Sequence, residues 1–214
     1  MPDRDDGDMT AHSPELPFAL TLDDYLAAGE EKWNDFEVAE GNLVLREERS
    51  RPHQKTAFRL AGAFETAVRK YRSTHPGANA PCYEINTEVN LLLWEVPLTI
   101  RKPDVIVHRC REQFEMLQAG DAIIVAEVIS RWSESRDRIH KMGEYAKSRI
   151  PHYLIIQFDE VGATIVEHYA LIASDTTYSR ISVTHRDRDI WALDITVPFE
   201  IQIGWQDLDV GPPV

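Results

Sequence analysis

Two carboxylates in apolar surroundings, with a lysine on the segment that follows, are the residues of this chain best suited to chemistry. Asp104 comes directly after Pro103 and opens the run Val105-Ile106-Val107-His108; Glu127 lies inside Ala122-Ile123-Ile124-Val125-Ala126-Glu127-Val128-Ile129-Ser130. A continuous apolar run of that kind is expected of a strand covered on both faces. An ionised carboxylate there costs on the order of several kcal/mol unless it is paired or bound to a metal. A buried ion pair with an arginine or lysine would compensate it equally well, as would a strand end that reaches water. Pro103 cannot donate to a sheet ladder, so it belongs at a strand start or edge, and Asp104 begins the strand. On alternation, Asp104, Ile106 and His108 share one face, and Val125, Glu127 and Ile129 share one face of the other strand. If the two strands are neighbours, both acids meet at one end of the sheet. Two carboxylates completed by water suit Mg²⁺ or Mn²⁺, which rarely receive a full cage of protein ligands.

The next element supplies the cation. Ser133 to Arg149 is expected to be a helix, with Pro151 as its stop. Asp137, Lys141 and Tyr145 are four apart and form one stripe. Ile139, Met142 and Ala146 fall on a different face, the one expected to pack on the sheet. Lys141 could then reach toward the acids, where an amine positions water or offsets charge developing on a phosphate. The plainer role is an Asp137–Lys141 surface pair worth a few tenths of a kcal/mol.

The elements that position these residues can be read in order. Met1 to Pro17 is acidic, with no hydrophobic period, and is expected to be a disordered tail (1–17) ahead of one domain (18–214). Thr21 caps a short helix, Leu22 to Ala28, with Asp24 three residues on. Phe36 to Leu45 is expected to be a hairpin turning at Gly41-Asn42. After Pro52, the residues Ala57, Leu60, Ala61, Phe64, Ala67, Val68 and Tyr71 repeat at three and four, as in an amphipathic helix ending near Ser73. Tyr83 to Leu91 alternates as a strand, Arg101 to His108 is a second, and Arg111 to Gln118 is expected to form a helical turn. Beyond the central helix, His152 to Phe158 and Thr164 to Ala173 form a hairpin, and short strands lie near Ser179 to Val183 and Ile195 to Ile203. Runs of strands with few helices between them give an α/β fold with a mixed sheet, without the strict alternation of a doubly wound one.

The formal net charge is −13, which argues against coating nucleic acid by bulk attraction. The distribution is uneven, however. Arg51, Lys55, Arg59, Arg69, Lys70 and Arg72 face a lone Glu65 between residues 51 and 72, and the segment from Ser130 to Arg149 also leans basic. Two cysteines, Cys82 and Cys110, make no zinc spacing and no disulfide framework; two reduced thiols in a cytoplasmic protein are expected. No run is apolar enough to span a membrane, and no glycine-rich phosphate loop occurs.

Several of these stretches, in this order, resemble the Uma-type putative restriction endonucleases, a bacterial branch of the PD-(D/E)xK nuclease superfamily. Thr21 to Leu26 resembles that family's opening helix, Phe36 to Val44 its hairpin, and Pro52-His53-Gln54 the start of its long helix. Pro103-Asp104-Val105-Ile106-Val107 resembles its PD strand and Glu127-Val128-Ile129-Ser130 its second acidic strand. Asp137, Lys141 and Tyr145 resemble the polar stripe of the following helix, and Pro151-His152-Tyr153 the entry to the next strand.

The resemblance implies a restriction-endonuclease-like core: a central mixed sheet flanked by helices, with an N-terminal hairpin. It implies Asp104 and Glu127 as metal ligands, Lys141 as the assisting amine, and Glu37, Glu40 and His53 at positions where the family tends to carry acids or imidazoles. The chain departs from the general superfamily pattern in having Ile129 two residues after the second acid, where a lysine is usual. Arg131-Trp132 also stands where the family usually has Pro-Ser. The function implied is metal-dependent cleavage of DNA, for which a homodimer would supply two centres. A nuclease fold that binds DNA or a protein partner without cutting is the alternative.

Overall fold

The computed structural model describes residues 18–77, 79–129, 135–172 and 176–211, and of residues 30 and 135–138 only the backbone. The expected acidic tail and Arg131-Trp132 lie outside the described residues. The elements are α1 (Leu22–Ala28), β1 (Phe36–Ala39), β2 (Asn42–Leu45), α2 (Arg51–Thr74), β3 (Tyr83–Asn86), β4 (Leu91–Trp94), β5 (Thr99–Arg101), β6 (Val105–Arg109), β7 (Leu117–Gln118), β8 (Ala122–Ile129), α3 (Ser135–Lys147), β9 (His152–Phe158), β10 (Ala163–Leu171), β11 (Tyr178–His185), β12 (Trp191–Ile195) and β13 (Ile201–Gly204). Short 3-10 turns cover Glu30–Trp33 and Trp205–Leu208. The chain divides into two compact units, one of Met1–Glu48 with Trp94–Ile100 and one of Arg49–Leu93 with Arg101–Val214.

The smaller unit opens as its sequence dictates. Thr21 caps α1 in a capping box: its hydroxyl accepts the Asp24 N–H, and the Asp24 carboxylate accepts from the Thr21 backbone. The hairpin forms with a different register from the expected one. Ala39 pairs with Asn42, so the two turn residues are Glu40 and Gly41, not Gly41 and Asn42. Both have positive φ, 50° and 78°, as a tight turn between twisted strands requires. A Cβ on Gly41 would meet the Ala19 side chain at 2.7 Å, so glycine is needed at the second turn position.

The larger unit is built on a six-stranded sheet in the order β11-β10-β9-β8-β6-β3. All its pairings are antiparallel except β8 with β9, which run parallel because α3 crosses between them. The sheet is therefore mixed, with two helices serving it. β8 is buried from Ala122 to Val128, as its apolar run requires. The apolar stripe of α2, from Ala57 through Leu60 and Phe64 to Val68, packs with Val105, Val107, Ile124, Ala126, Leu154, Ile156 and the β12–β13 hairpin. Ser50 caps this helix, its hydroxyl accepting the His53 N–H. The opposite face of the sheet carries Tyr153, whose ring lies 5.4 Å from that of Tyr145 on α3.

Four expectations are corrected. Tyr83 to Leu91 is two strands broken near Glu88, which has φ 54°. The stretch after Arg111 holds a loop and the short β7, not a helical turn. Residues Ile195 to Ile203 form the ends of a hairpin and not one strand. The thiols expected to be reduced are joined, Cys82 to Cys110, directly beyond the last cross-strand pair of β3 and β6.

Candidate active site

β6 and β8 are neighbours, with Val105 opposite Ala126. Asp104 therefore precedes its strand at the same end where Glu127 follows Ala126. Asp104 lies in a bend ahead of β6, not within the strand, because Pro103 and the preceding Lys102 break the ladder. Alternation thus does not fix its face as expected. Its carboxylate instead takes over a ladder position: Oδ2 accepts the Val128 N–H at 2.7 Å and lies 3.1 Å from His53 Nε2. Arg49 Nη2 is 2.9 Å from Oδ1. That contact is an ion pair without the alignment of a hydrogen bond, so Oδ1 is a buried oxygen lacking one among the described residues.

Asp104 is fully buried. Burial alone would push its carboxyl up. The His53 hydrogen bond, the electrostatic pull of Arg49 and His53, and the Val128 N–H outweigh that, and hold it below the usual carboxylate range. Since an ionised carboxylate only accepts, His53 donates to it from Nε2. Its Nδ1 is then a buried nitrogen with no hydrogen bond among the described residues.

Glu127 has a separate set of partners. Tyr145 donates its hydroxyl to Oε1 at 2.8 Å, and Lys141 Nζ stands 3.4 Å from the same oxygen. All three residues are buried. The Lys141–Tyr145 stripe is therefore the inward face of α3, together with Ala146, whereas Ile139 is 65% exposed. This reverses part of the expected facing. The sheet beneath α3 carries a carboxylate, and the polar stripe turns in to meet it. Tyr145 also holds Glu127 directly. Asp137 belongs to α3, but its side chain lies outside the described residues.

The structure brings together Asp104 with His53, and Glu127 with Lys141 and Tyr145, at one end of two paired strands. Glu40 sits exposed in the hairpin turn of the smaller unit, and Glu37 is buried within β1. Two residues escaped the sequence reading. Arg49 precedes a helix cap, where no periodicity marks it. Arg101 grips Glu144 of α3 by two bonds, Nε to Oε2 at 2.7 Å and Nη2 to Oε1 at 2.8 Å. Such a fork-to-carboxylate pair fixes orientation as well as distance. It anchors the helix that presents Lys141 and Tyr145 to a residue three places before Asp104.

The donor set can be tested against a metal. Among the described residues no three His, Cys, Asp or Glu side chains gather closely enough to hold an ion by themselves. The described residues thus do not supply the three or four protein ligands of a zinc site. Mg²⁺ and Mn²⁺ do fit, because one or two carboxylates with water and substrate phosphate suffice for them. The buried Asp104 Oδ1 without a hydrogen bond is the oxygen such an ion would take.

The profile of the Uma2 family, described as putative restriction endonuclease, matches residues 22–210. The chain belongs to this family. Among solved structures, a putative nuclease belonging to DUF820 from Anabaena variabilis superposes with a TM-score of 0.61 at 16% identity, over 88% of this chain and 96% of that one. At that identity the likeness establishes the nuclease-type fold. No curated protein matches the chain. Membership in the Uma2 family supports a nuclease. No described helix is long and apolar enough to cross a membrane.

Proposed function

We propose that this Uma2-family chain is a divalent-metal-dependent endonuclease acting on DNA, in which Asp104 and Glu127 hold Mg²⁺ or Mn²⁺ and Lys141 assists. The observation that carries the reading is the pairing of Val105 with Ala126, which sets the two acids at one end of adjacent strands. When bound, the ion would supply a Lewis acid for a phosphoryl oxygen and make a water more acidic. The protein groups have distinct tasks. Val128 and His53 fix Asp104 through Oδ2, which leaves Oδ1 as the ligand oxygen. Tyr145 fixes the Glu127 rotamer. Lys141, in a buried setting where charge is weakly screened, offers its ammonium to the charge that develops on the phosphate.

The outer face of α2 is the surface offered to the DNA backbone. Arg51, Arg59 and Arg69 are exposed there, whereas Lys70 pairs with Glu200 and Arg72 donates to the Tyr83 carbonyl. Each phosphate neutralised by this face would steepen the fall of binding with salt.

One observation favours the second reading, a nuclease fold that binds DNA or a protein partner without cutting. Arg49, His53 and the Val128 N–H already engage both oxygens of Asp104. The experiment that separates the readings is incubation with plasmid and single-stranded DNA under Mg²⁺ and Mn²⁺, beside Asp104→Asn and Glu127→Gln. The nuclease reading expects metal-dependent nicking by the wild type and none by either variant. Cleavage by the double variant at the wild-type rate overturns the assignment of both acids.

A further inference from the structure

Arg49 stands where neither the sequence pattern nor the proposed mechanism assigns a role. Its side chain is 19% exposed, while the Asp104 carboxylate behind it is 1% exposed. The guanidinium thus lies on the solvent side of a carboxylate that is otherwise sealed. The other Asp104 oxygen is saturated by Val128 and His53, so Oδ1 is the oxygen left for an incoming cation. Arg49 Nη2 stands 2.9 Å from that oxygen, so a cation bound to Oδ1 would compete with it. A second acid stands beside it: Glu88 Oε1 is 3.9 Å from Arg49 Nε, with its side chain 43% exposed. Glu88 is itself fixed to the same corner, because its N–H bonds to the Pro103 carbonyl. The guanidinium therefore has a nearby acid to swing toward while it stays at the mouth of the site.

We propose that Arg49 is a phosphate-binding residue of this site, held on Asp104 Oδ1 while that oxygen carries no metal and turned to a substrate phosphodiester once it does. The chemistry of the side chain fits both states. A guanidinium is charged at every working pH, and its planar fork matches carboxylate and phosphate oxygens alike. A divalent ion on Oδ1 would repel it at short range, and a phosphate drawn to the same ion would receive it. Arg49 thus competes with metal and cooperates with substrate, a combination that a merely structural ion pair would not produce. The inference rests on the nuclease reading of Asp104.

The test uses the full chain and measures binding, so that cleavage is not needed. Mn²⁺ affinity is titrated calorimetrically for the wild type, Arg49→Gln, Arg49→Lys and Asp104→Asn. Affinity for a short duplex is measured in Ca²⁺ at fixed ionic strength. Arg49→Gln is expected to bind Mn²⁺ more tightly, by about tenfold, the lower end of what a close charge pair contributes. It is expected to bind the duplex more weakly by a similar factor, with Arg49→Lys between it and the wild type in both. If the wild type binds Mn²⁺ and Arg49→Gln binds it no more tightly, or if duplex affinity is unchanged, the role of Arg49 is overturned while the metal site stands. If Asp104→Asn binds Mn²⁺ as the wild type does, or no variant binds it, the metal reading falls and the role of Arg49 with it. The lysine variant keeps the charge on Asp104, which guards against loss of fold in the glutamine variant.

Discussion

The Val128 backbone N–H donates to Asp104 Oδ2 across 2.7 Å, so a side chain fills a ladder position that Pro103 and the bend leave empty. This bond joins the two acidic segments. It fixes Asp104 against the residue that follows Glu127, with a donor that belongs to the backbone of β8. The carboxylate is consequently both a structural acceptor and the proposed ligand, and substitutions separate the two roles.

Asp104→Ala removes the acceptor from Val128, His53 and Arg49 together. Leaving the Arg49 guanidinium, the His53 ring and the Val128 N–H without their acceptor is expected to cost about 3–5 kcal/mol. Asp104→Asn keeps the shape and one acceptor oxygen, and is expected to lose about 1–3 kcal/mol. Chemical denaturation of the two variants checks the difference. Equal losses would mean that the network around Asp104 contributes nothing beyond its packing.

Tyr145→Phe removes one hydroxyl from Glu127 and leaves the tilted ring contact with Tyr153 intact. The expected loss of stability is about 1.5–3 kcal/mol, the range for a hydrogen bond to a charged group. In the cleavage assay kcat should fall with KM unchanged, because the hydroxyl orients a carboxylate and does not touch DNA. A change confined to KM would contradict that placement.

The site was legible where burial and charge conflict. Glu127 is conspicuous because its strand is otherwise apolar, and Asp104 because a proline sets it at a strand start. The four-residue spacing of Lys141 and Tyr145 put them on one stripe of α3, and that stripe meets Glu127. Which face of α3 turns inward differs from the expectation, because apolar residues normally decide it; here a buried acid attracts the polar stripe and leaves Ile139 in solvent. Arg49 left no trace, since a residue before a helix cap has no period and its partner is 55 positions away. The hairpin register slipped by one because Glu40 takes up a left-handed conformation more often held by asparagine or glycine. The two cysteines are 28 residues apart, and only the antiparallel pairing of β3 with β6 brings them together.

That pairing yields a prediction of its own. Closing a loop of this length is expected to stabilise the fold by about 3.6 kcal/mol, mostly by restricting the unfolded chain. The melting temperature should therefore drop when dithiothreitol is added. A Cys82→Ala, Cys110→Ala double variant should melt near the reduced wild type and ignore the reductant. A wild type that is equally indifferent would show that the link carries no stability.

The last prediction concerns a pair of histidines that the proposed mechanism does not use. His152 Nδ1 lies 3.0 Å from His168 Nε2 across β9 and β10. Burial pushes the His168 imidazole down to about 4, with a smaller contribution from the charge of His152. Burial lowers His152 as well, against a hydrogen bond to the Val197 backbone that raises it. At neutral pH both rings are uncharged, and one proton serves the contact between them. Below the ordinary imidazole value the unfolded chain takes up a proton that folded His168 refuses. Stability is then fully present above about pH 6.5 and lost as the pH falls toward about 4, by roughly 3 kcal/mol if His168 acts alone. Urea melts at intervals between about pH 5 and 7 sample this window before most carboxylates titrate. The free energy of unfolding should fall with acid in the wild type, and the slope should flatten in His168→Gln. An unchanged slope in the variant would assign the acid sensitivity to other groups and leave the buried pair without a role in it.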